Sequence, residues 1–251
     1  MSKSISLFVT VIFIVATSSL QAQEKIRKAY RPDIPGSFMI DLGFNNGLNK
    51  PADFKQGFWG SRTLNLYYHY PVRIGTTKFT YNPGGGFSFE RFKLTNNYTL
   101  LNPQAGGDGA NLLDDPTKTF LIGAGIKRSM LISNYFDLMP LEFRFDSNPK
   151  DLTRSFNVSL GARVGVLMES HTKIEYTLNG ESITAKDKQK HGLNPFRYGV
   201  YTRIGIGNFN WFAFYNFSPY FATGKGPHNS TTDLTTTTMT TFTIGISLNG
   251  F

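Results

Sequence analysis

The stretch "SFNVSLGARVGVLME" (Ser155–Glu169) alternates along most of its length. Phe156, Val158, Leu160, Ala162, Val164, Val166 and Met168 fall on one face. Asn157, Ser159, Gly161, Arg163, Gly165 and Glu169 fall on the other. Side chains of a β-strand repeat every two residues, so the pattern predicts a strand with two unlike surroundings. A strand washed by water usually carries Lys and Glu on its polar face. Here that face is mostly small and nearly uncharged, and the apolar face is long enough for the roughly 9–11 residues that cross a membrane.

Working outward, the same period recurs. "SFMIDLGFN" sets Phe38, Ile40, Leu42 and Phe44 against Met39, Asp41 and Gly43. "TLNLYYHYPV" sets Leu64, Leu66, Tyr68, Tyr70 and Val72 against Thr63, Asn65, Tyr67 and His69. "KFTYNPGGGFSFERF" continues it, with Pro83 and Gly84–Gly86 expected to bend the strand or admit another backbone. In "NYFDLMPLEFRF" the apolar face reads as Tyr135, Met139, Leu141, Phe143 and Phe145. "PFRYGVYTRIGIG", "WFAFYNFSPYF" and "TFTIGISLNGF" complete about eight strands. Connectors alternate in length. "PVRIGTT", "DSNPKDLT" and "GNFN" are short. "NNGLNKPADFKQGFWG", "TNNYTLLNPQAGGDGANLLDDPT", "ESHTKIEYTLNGESITAKDKQKHGL" and "ATGKGPHNSTTDLTTT" are long. An antiparallel meander puts all the long loops at one end and the short turns at the other, the layout of an outer-membrane barrel.

The start of the chain agrees. Lys3, the apolar run Leu7–Ala16 and "SSLQA" predict a secretory signal over residues 1–22, cut after Ala22. The apolar run is too short for a spanning helix. Residues 23–35 read as a basic periplasmic lead-in, and residues 36–251 as the barrel. The fold class expected is all-β: a closed, antiparallel, up-and-down transmembrane β-barrel of eight strands, in the outer membrane of a Gram-negative bacterium. Trp59, Phe196, Tyr198, Trp211, Tyr215 and Tyr220 sit near strand ends, where aromatic girdles meet the membrane boundary. The net charge of +9 is scattered and forms no nucleic-acid module, and the chain has no cysteine.

The polar faces carry a few charges of both signs. Asp41, Glu90, Glu142 and Glu169 are expected to meet Arg144, Arg163, Arg197 and Arg203 in a lumen charge network. Pairing would plug the interior; an arginine left without its acid would favour a polar path or a small-anion site.

"PLEFRFDSNPKD", "GARVGVLMESHTKIEY", "LNPFRYGVYTRIGIGNFNWFAFYNFSPYF", "GKGP" and "TIGISLNGF" resemble the PorT-like outer-membrane β-barrel proteins of Bacteroidetes. The resemblance runs from about Gly36 and is strongest over Asn134–Phe251. It implies an eight-stranded outer-membrane barrel, and the namesake's link to protein secretion and gliding. The terminal Phe251 resembles the aromatic signal read by the barrel assembly machinery. It is out of phase with Phe242, Ile244, Ile246 and Leu248, unless Gly250 supplies a bulge.

Catalytic signatures are missing: there is no G-x-S-x-G, H-E-x-x-H or P-loop. His69 is the one histidine within an expected strand, and it suits a lumen hydrogen bond better than catalysis. Asp108, Asp114 and Asp115 lie beside glycines without the spacing of a calcium loop. No enzyme activity, cofactor or metal is expected. The first reading is a structural or accessory barrel that binds a partner protein of the secretion apparatus or envelope, or outer-membrane lipid and lipopolysaccharide. A narrow pore, an exported lipocalin-like binder with its apolar face inside, and a lipid-modifying barrel enzyme stand as alternatives.

Overall fold

The computed structural model describes residues 36–251, except Ala52, 102–111, 119–120, 228–237 and Phe251. The expected signal (1–22) and lead-in (23–35), and the orientation of Phe251, lie outside the described residues. Thirteen strands are described. They are β1 (Ser37–Leu48), β2 (Arg62–His69), β3 (Val72–Arg73), β4 (Phe79–Tyr81), β5 (Gly84–Leu94), β6 (Thr99–Leu101), β7 (Leu112–Asp114), β8 (Gly125–Asp146), β9 (Phe156–Leu178), β10 (Glu181–Asp187), β11 (Phe196–Ile206), β12 (Phe209–Asn216) and β13 (Thr240–Asn249).

Eight of them pair in a ring. The order is β1–β2–β5–β8–β9–β11–β12–β13, and β13 returns to β1 through Ile40 opposite Leu248 and Phe44 opposite Ile244. Every pairing is antiparallel and joins strands consecutive around the ring. The ring therefore leaves none of its eight strands as a bare edge. The turn between β11 and β12 is only Gly207–Asn208, whereas the four long connections all leave from the other end.

The expected alternation is present, with the apolar side outward. Leu66, Phe87, Leu138, Val164 and Ile204 are exposed on the outer wall, and Leu160 keeps 62% of its surface. Asn65, Ser88, Asn157, Ser159 and Asn210 are buried inside. This is the reverse of a soluble binding barrel, which would place the apolar face inside.

Three departures from the expected strands have identifiable causes. Pro83 ends one strand and begins another: β4 and β5 both lie along β8, with Phe79 opposite Phe145 and Gly84 opposite Met139. Along β8, the register slips between Leu138 and Leu141, where Pro140 has no N–H to give to the ladder. Residues before the slip face inward at odd numbers and those after it at even numbers. Tyr135 and Met139 are consequently buried inside, not on the outer apolar face expected for them. A second slip, opposite Asn134–Tyr135, inserts Met168 as an extra residue in β9. It flips the phase beyond, so Ser170, Thr172 and Ile174 point inward.

The largest departure concerns "ESHTKIEYTLNGESITAKDKQKHGL", expected as a loop. Much of it is strand: β9 continues to Leu178 and folds back into β10 through Asn179–Gly180. Both turn residues have positive φ, 50° and 83°. Asn-Gly tolerates that backbone and supplies the two-residue hairpin turn. Gly125–Leu131 of β8 pairs with Thr172–Thr177 of β9, making a three-stranded ribbon whose Gly125–Arg128 part runs beyond the end of β5.

Candidate functional site: the filled interior and its cap

Two charge clusters occupy the interior. The first is centred on Asp137. Arg197 reaches it with two donors, Nε at 3.0 Å and a terminal nitrogen at 2.7 Å, and gives its other terminal nitrogen to Glu90 at 2.5 Å. Tyr67 donates to Asp137 at 2.8 Å, Ser88 also donates to it, and Arg163 approaches to 3.8 Å while donating to the Tyr67 hydroxyl at 2.5 Å. Both guanidinium groups also cover aromatic rings: Arg163 lies 3.3 Å over Phe214 and Arg197 lies 3.8 Å over Tyr135. Such stacking suits arginine, whose planar cation is weakly hydrated.

The second cluster lies nearer the short turns. Arg203 joins Glu142 at 2.9 Å and Asp41 at 3.2 Å. Tyr201 donates to Glu142 at 2.6 Å, and the Asn82 amide donates to it at 3.3 Å. His69 places Nδ1 3.5 Å from Glu142 and 3.3 Å from the Asn82 carbonyl. Its polar contacts are thus an acid and a backbone carbonyl. No serine is among its hydrogen-bond partners in the described residues, and it sits at the short-turn end rather than at the outer rim.

The sequence-derived residues divide as follows. Asp41, Glu90, Glu142, Arg163, Arg197 and Arg203 are brought inside and into ion pairs. Arg144 pairs with Asp146 at 2.9 Å, apart from both clusters. Glu169 is a correction. The extra residue Met168 turns it outward, where its side chain is 45% exposed and meets Asn134 and His171. Asp137, the hub of the first cluster, was not anticipated. The misplaced phase of "NYFDLMPLEFRF" hid it, although an acid between Phe136 and Leu138 in a strand was the available signal.

Burial of ions is costly unless they are paired and hydrogen-bonded; these are paired, although Asp41 Oδ1, Arg163 Nε and Arg203 Nε are buried without a hydrogen bond. Each of the four inward arginines has a carboxylate within 4 Å. Space for the first cluster comes from Gly165. A Cβ there would run into the Asp137 carboxylate and stand 2.9 Å from Arg197 Nε.

Toward the long-loop end an apolar cap covers the charges. Phe54, Phe92, Leu100, Leu113, Leu131, Leu193, Tyr220, Phe221 and Met239 form one buried cluster, with Leu167 and Tyr98 against it. Each of the four long connections contributes to it. Phe54, Phe92, Tyr220 and Phe221 meet edge to face, with ring centroids 5.2–6.4 Å apart. Tyr220, expected in the membrane-boundary girdle, belongs to this cap instead, and its hydroxyl lies 3.1 Å from Ser133. The two-stranded β6–β7 sheet, which carries Leu100 and Leu113, is too small to bury such side chains by itself, so they are buried over the mouth. Asp115 accepts hydrogen bonds from Thr117 N and Oγ1. Among the described residues, no three His, Cys, Asp or Glu side chains converge as metal ligands.

No curated protein sequence matches this chain. Among solved structures, neisserial surface protein A aligns with a TM-score of 0.35 at 12% identity, over 86% of this chain and 97% of that one. The protein-family model described as outer membrane protein beta-barrel domain matches residues 21–224. With the match covering most of its length, the chain belongs to the outer-membrane protein β-barrel domain family and is located in the outer membrane.

Proposed function

We propose that the chain is a closed eight-stranded transmembrane barrel of structural or accessory type, non-enzymatic and non-conducting, with its long loops outside the cell. The observation that carries this reading is the filled interior. Two clusters of paired ions occupy the ring, and an apolar cluster lies over its mouth. A pore needs a continuous wet path, and paired charges with stacked arginines leave little polar surface to line one.

The active surface is then the outside of the long-loop end. The ribbon of β8, β9 and β10 offers a partner protein the edge of β10, since among the described residues β10 pairs only with β9. An unpaired edge is a template for strand addition. The PorT-like segments Leu193–Gly199 and Gly245–Phe251 favour a partner in the envelope secretion apparatus. Two measurements test the reading. In a planar bilayer the purified barrel should give no discrete conductance steps; reproducible steps would refute a filled interior. In native detergent, a partner captured by the whole protein should be lost when residues 179–187 are replaced by a short turn. Retention of the partner would move the surface elsewhere.

A further inference from the structure

On the outer wall, just beyond the apolar band at the long-loop end, the neighbouring strands change character. β5 presents Phe87 and Phe89 outward, then Arg91 and Lys93. Across from Arg91 in the β2 register stands Arg62, and Lys93 lies opposite Met130 of β8. Arg62, Arg91, Lys93 and Arg128 line one recess of about 290 Å³, with Trp59 at its edge.

The charges there are unbalanced. Arg128 lies 3.5 Å from Glu175, which Lys173 also holds at 2.6 Å. Arg62 spends Nε on the Trp59 carbonyl at 2.7 Å. The side chains of Arg91 and Lys93 have no acidic partner among the described residues, and Arg91 Nε is buried without a hydrogen bond. Like charges facing each other across a strand pair oppose folding, so Arg62 opposite Arg91 is a cost unless an anion lies between them. The interior Arg144, Arg163, Arg197 and Arg203 each have an acid within 4 Å; Arg91 and Lys93 have none among the described residues.

A second feature adjoins the recess. Leu42, Phe44, Ile204, Trp211, Ala213 and Ile244 line an apolar groove of about 950 Å³ on the same outer wall. Trp59 and Arg62 border both it and the basic recess. Ala213 is the small residue between Trp211 and Tyr215 that deepens the groove.

We propose that this pair of sites binds one amphiphile, a phosphorylated glycolipid of the outer leaflet. Its phosphate sits among Arg62, Arg91, Lys93 and Arg128, and an acyl chain lies along the groove. Arginine and lysine together match a phosphate, the arginines by paired donors and the lysine as a point charge. The groove argues for a lipid source over free phosphate. This inference rests on the proposed orientation, long loops outward, because only then does the recess sit at the outer-leaflet headgroups.

The test uses the full chain folded in detergent and native mass spectrometry. The probes are bisphosphorylated lipid A, the same lipid A with its phosphates removed, and inorganic phosphate. Binding of the bisphosphorylated form should be at least tenfold tighter than that of the phosphate-free form. An R91Q/K93Q variant should lose most of that difference, and an R91K/K93R variant should keep it. A heat-dependent gel shift verifies that each variant is folded. Equal binding of the two lipids, or no effect of R91Q/K93Q, overturns the site. Displacement of the lipid by equimolar inorganic phosphate overturns the lipid assignment. Orientation is read separately, by labelling a cysteine placed at Asn179 on intact cells. Its failure leaves the binding result in detergent intact and is therefore distinguishable.

Discussion

Asp137→Asn isolates the most heavily used group in the interior. In the parent protein its carboxylate receives two donors from Arg197, one from Tyr67 and one from Ser88, with Arg163 at 3.8 Å. Charge-assisted bonds contribute about 1.5–3 kcal/mol each, and four of them would suggest an implausible sum. Much of it is recovered. Arg197 keeps Glu90 at 2.5 Å, Tyr67 and Ser88 lie 2.7 Å apart and can bond each other, and asparagine retains one acceptor. What remains is a buried cation short of its counter-charge, for which about 3–5 kcal/mol is the usual loss. At a urea slope of about 2 kcal/mol per molar, the unfolding midpoint should fall by about 1.5–2.5 M. The assay is urea unfolding of the barrel in lipid vesicles, followed by fluorescence of Trp59 and Trp211, both on the outer wall. Glu175→Gln, at a partly exposed ion pair outside the ring's interior, serves as control and should move the midpoint far less. Replacing Asp137, Arg197, Glu90 and Arg163 together by Leu, Met, Gln and Met should restore much of the loss, since no charge of this cluster is then stranded. If Asp137→Asn moved the midpoint no further than Glu175→Gln, the interior would be wetter than the packing implies and the argument for a filled ring would fail.

Other substitutions probe different layers. Leu160→Arg puts a charge on the outer wall at mid-strand and should destabilise by about 2–4 kcal/mol in the same titration, with no such loss for Leu160→Phe. Gly165→Val drives a side chain into the Asp137–Arg197 pair and should cost at least about 1–3 kcal/mol, seen as a lower unfolding midpoint. Gly180→Ala, at φ 83°, strains only the ribbon turn. It should speed amide exchange in β10 while the ring midpoint stays put. Phe221→Ala empties the centre of the cap and should cost up to about 3–5 kcal/mol of loop protection, measured as faster proteolysis of the long connections.

Which parts of this molecule could be read from the chain depends on how each part is encoded. The ring was legible because lipid outside and polar groups inside impose a strict period of two. Ser155–Val166 shows it residue by residue. Errors began where the period broke without a strong local marker. The extra Met168 changes which side every later β9 residue faces, so Glu169 was assigned inside although it lies outside. Pro140 is visible in the sequence, but whether it ends a strand or bulges within one depends on the neighbour's register. The ribbon was missed for another reason. "HTKIEYTL" does alternate, with Thr172, Ile174 and Tyr176 set against His171, Lys173 and Glu175, but Met168 puts it out of phase with the strand before it, and "ESITAKD" is exposed with little amphipathic contrast. The cap depended on tertiary contact alone. Phe54, Leu100, Leu193 and Phe221 come from different connections and share no pattern along the chain.

The cap and the charge clusters also explain each other. Glu90 and Phe92 are neighbours on the inner face of β5, so the upper ion pair touches the floor of the apolar cluster. On β8 the inner face runs Leu131, Ser133, Tyr135, Asp137, from cap to cluster, and Arg197 stacks on Tyr135 between them. Ions in a ring this narrow gain from one another only where water is kept away, since attraction between charges weakens sharply in a high dielectric. The loop aromatics supply that exclusion at one end, while the ion pairs hold the strands that carry Phe92, Leu94 and Leu131. Neither layer is fully stable alone: an uncapped cluster would hydrate, and loops without a fixed ring would have nothing to fold onto. The long connections therefore cannot vary freely on the inside, whatever they present outward.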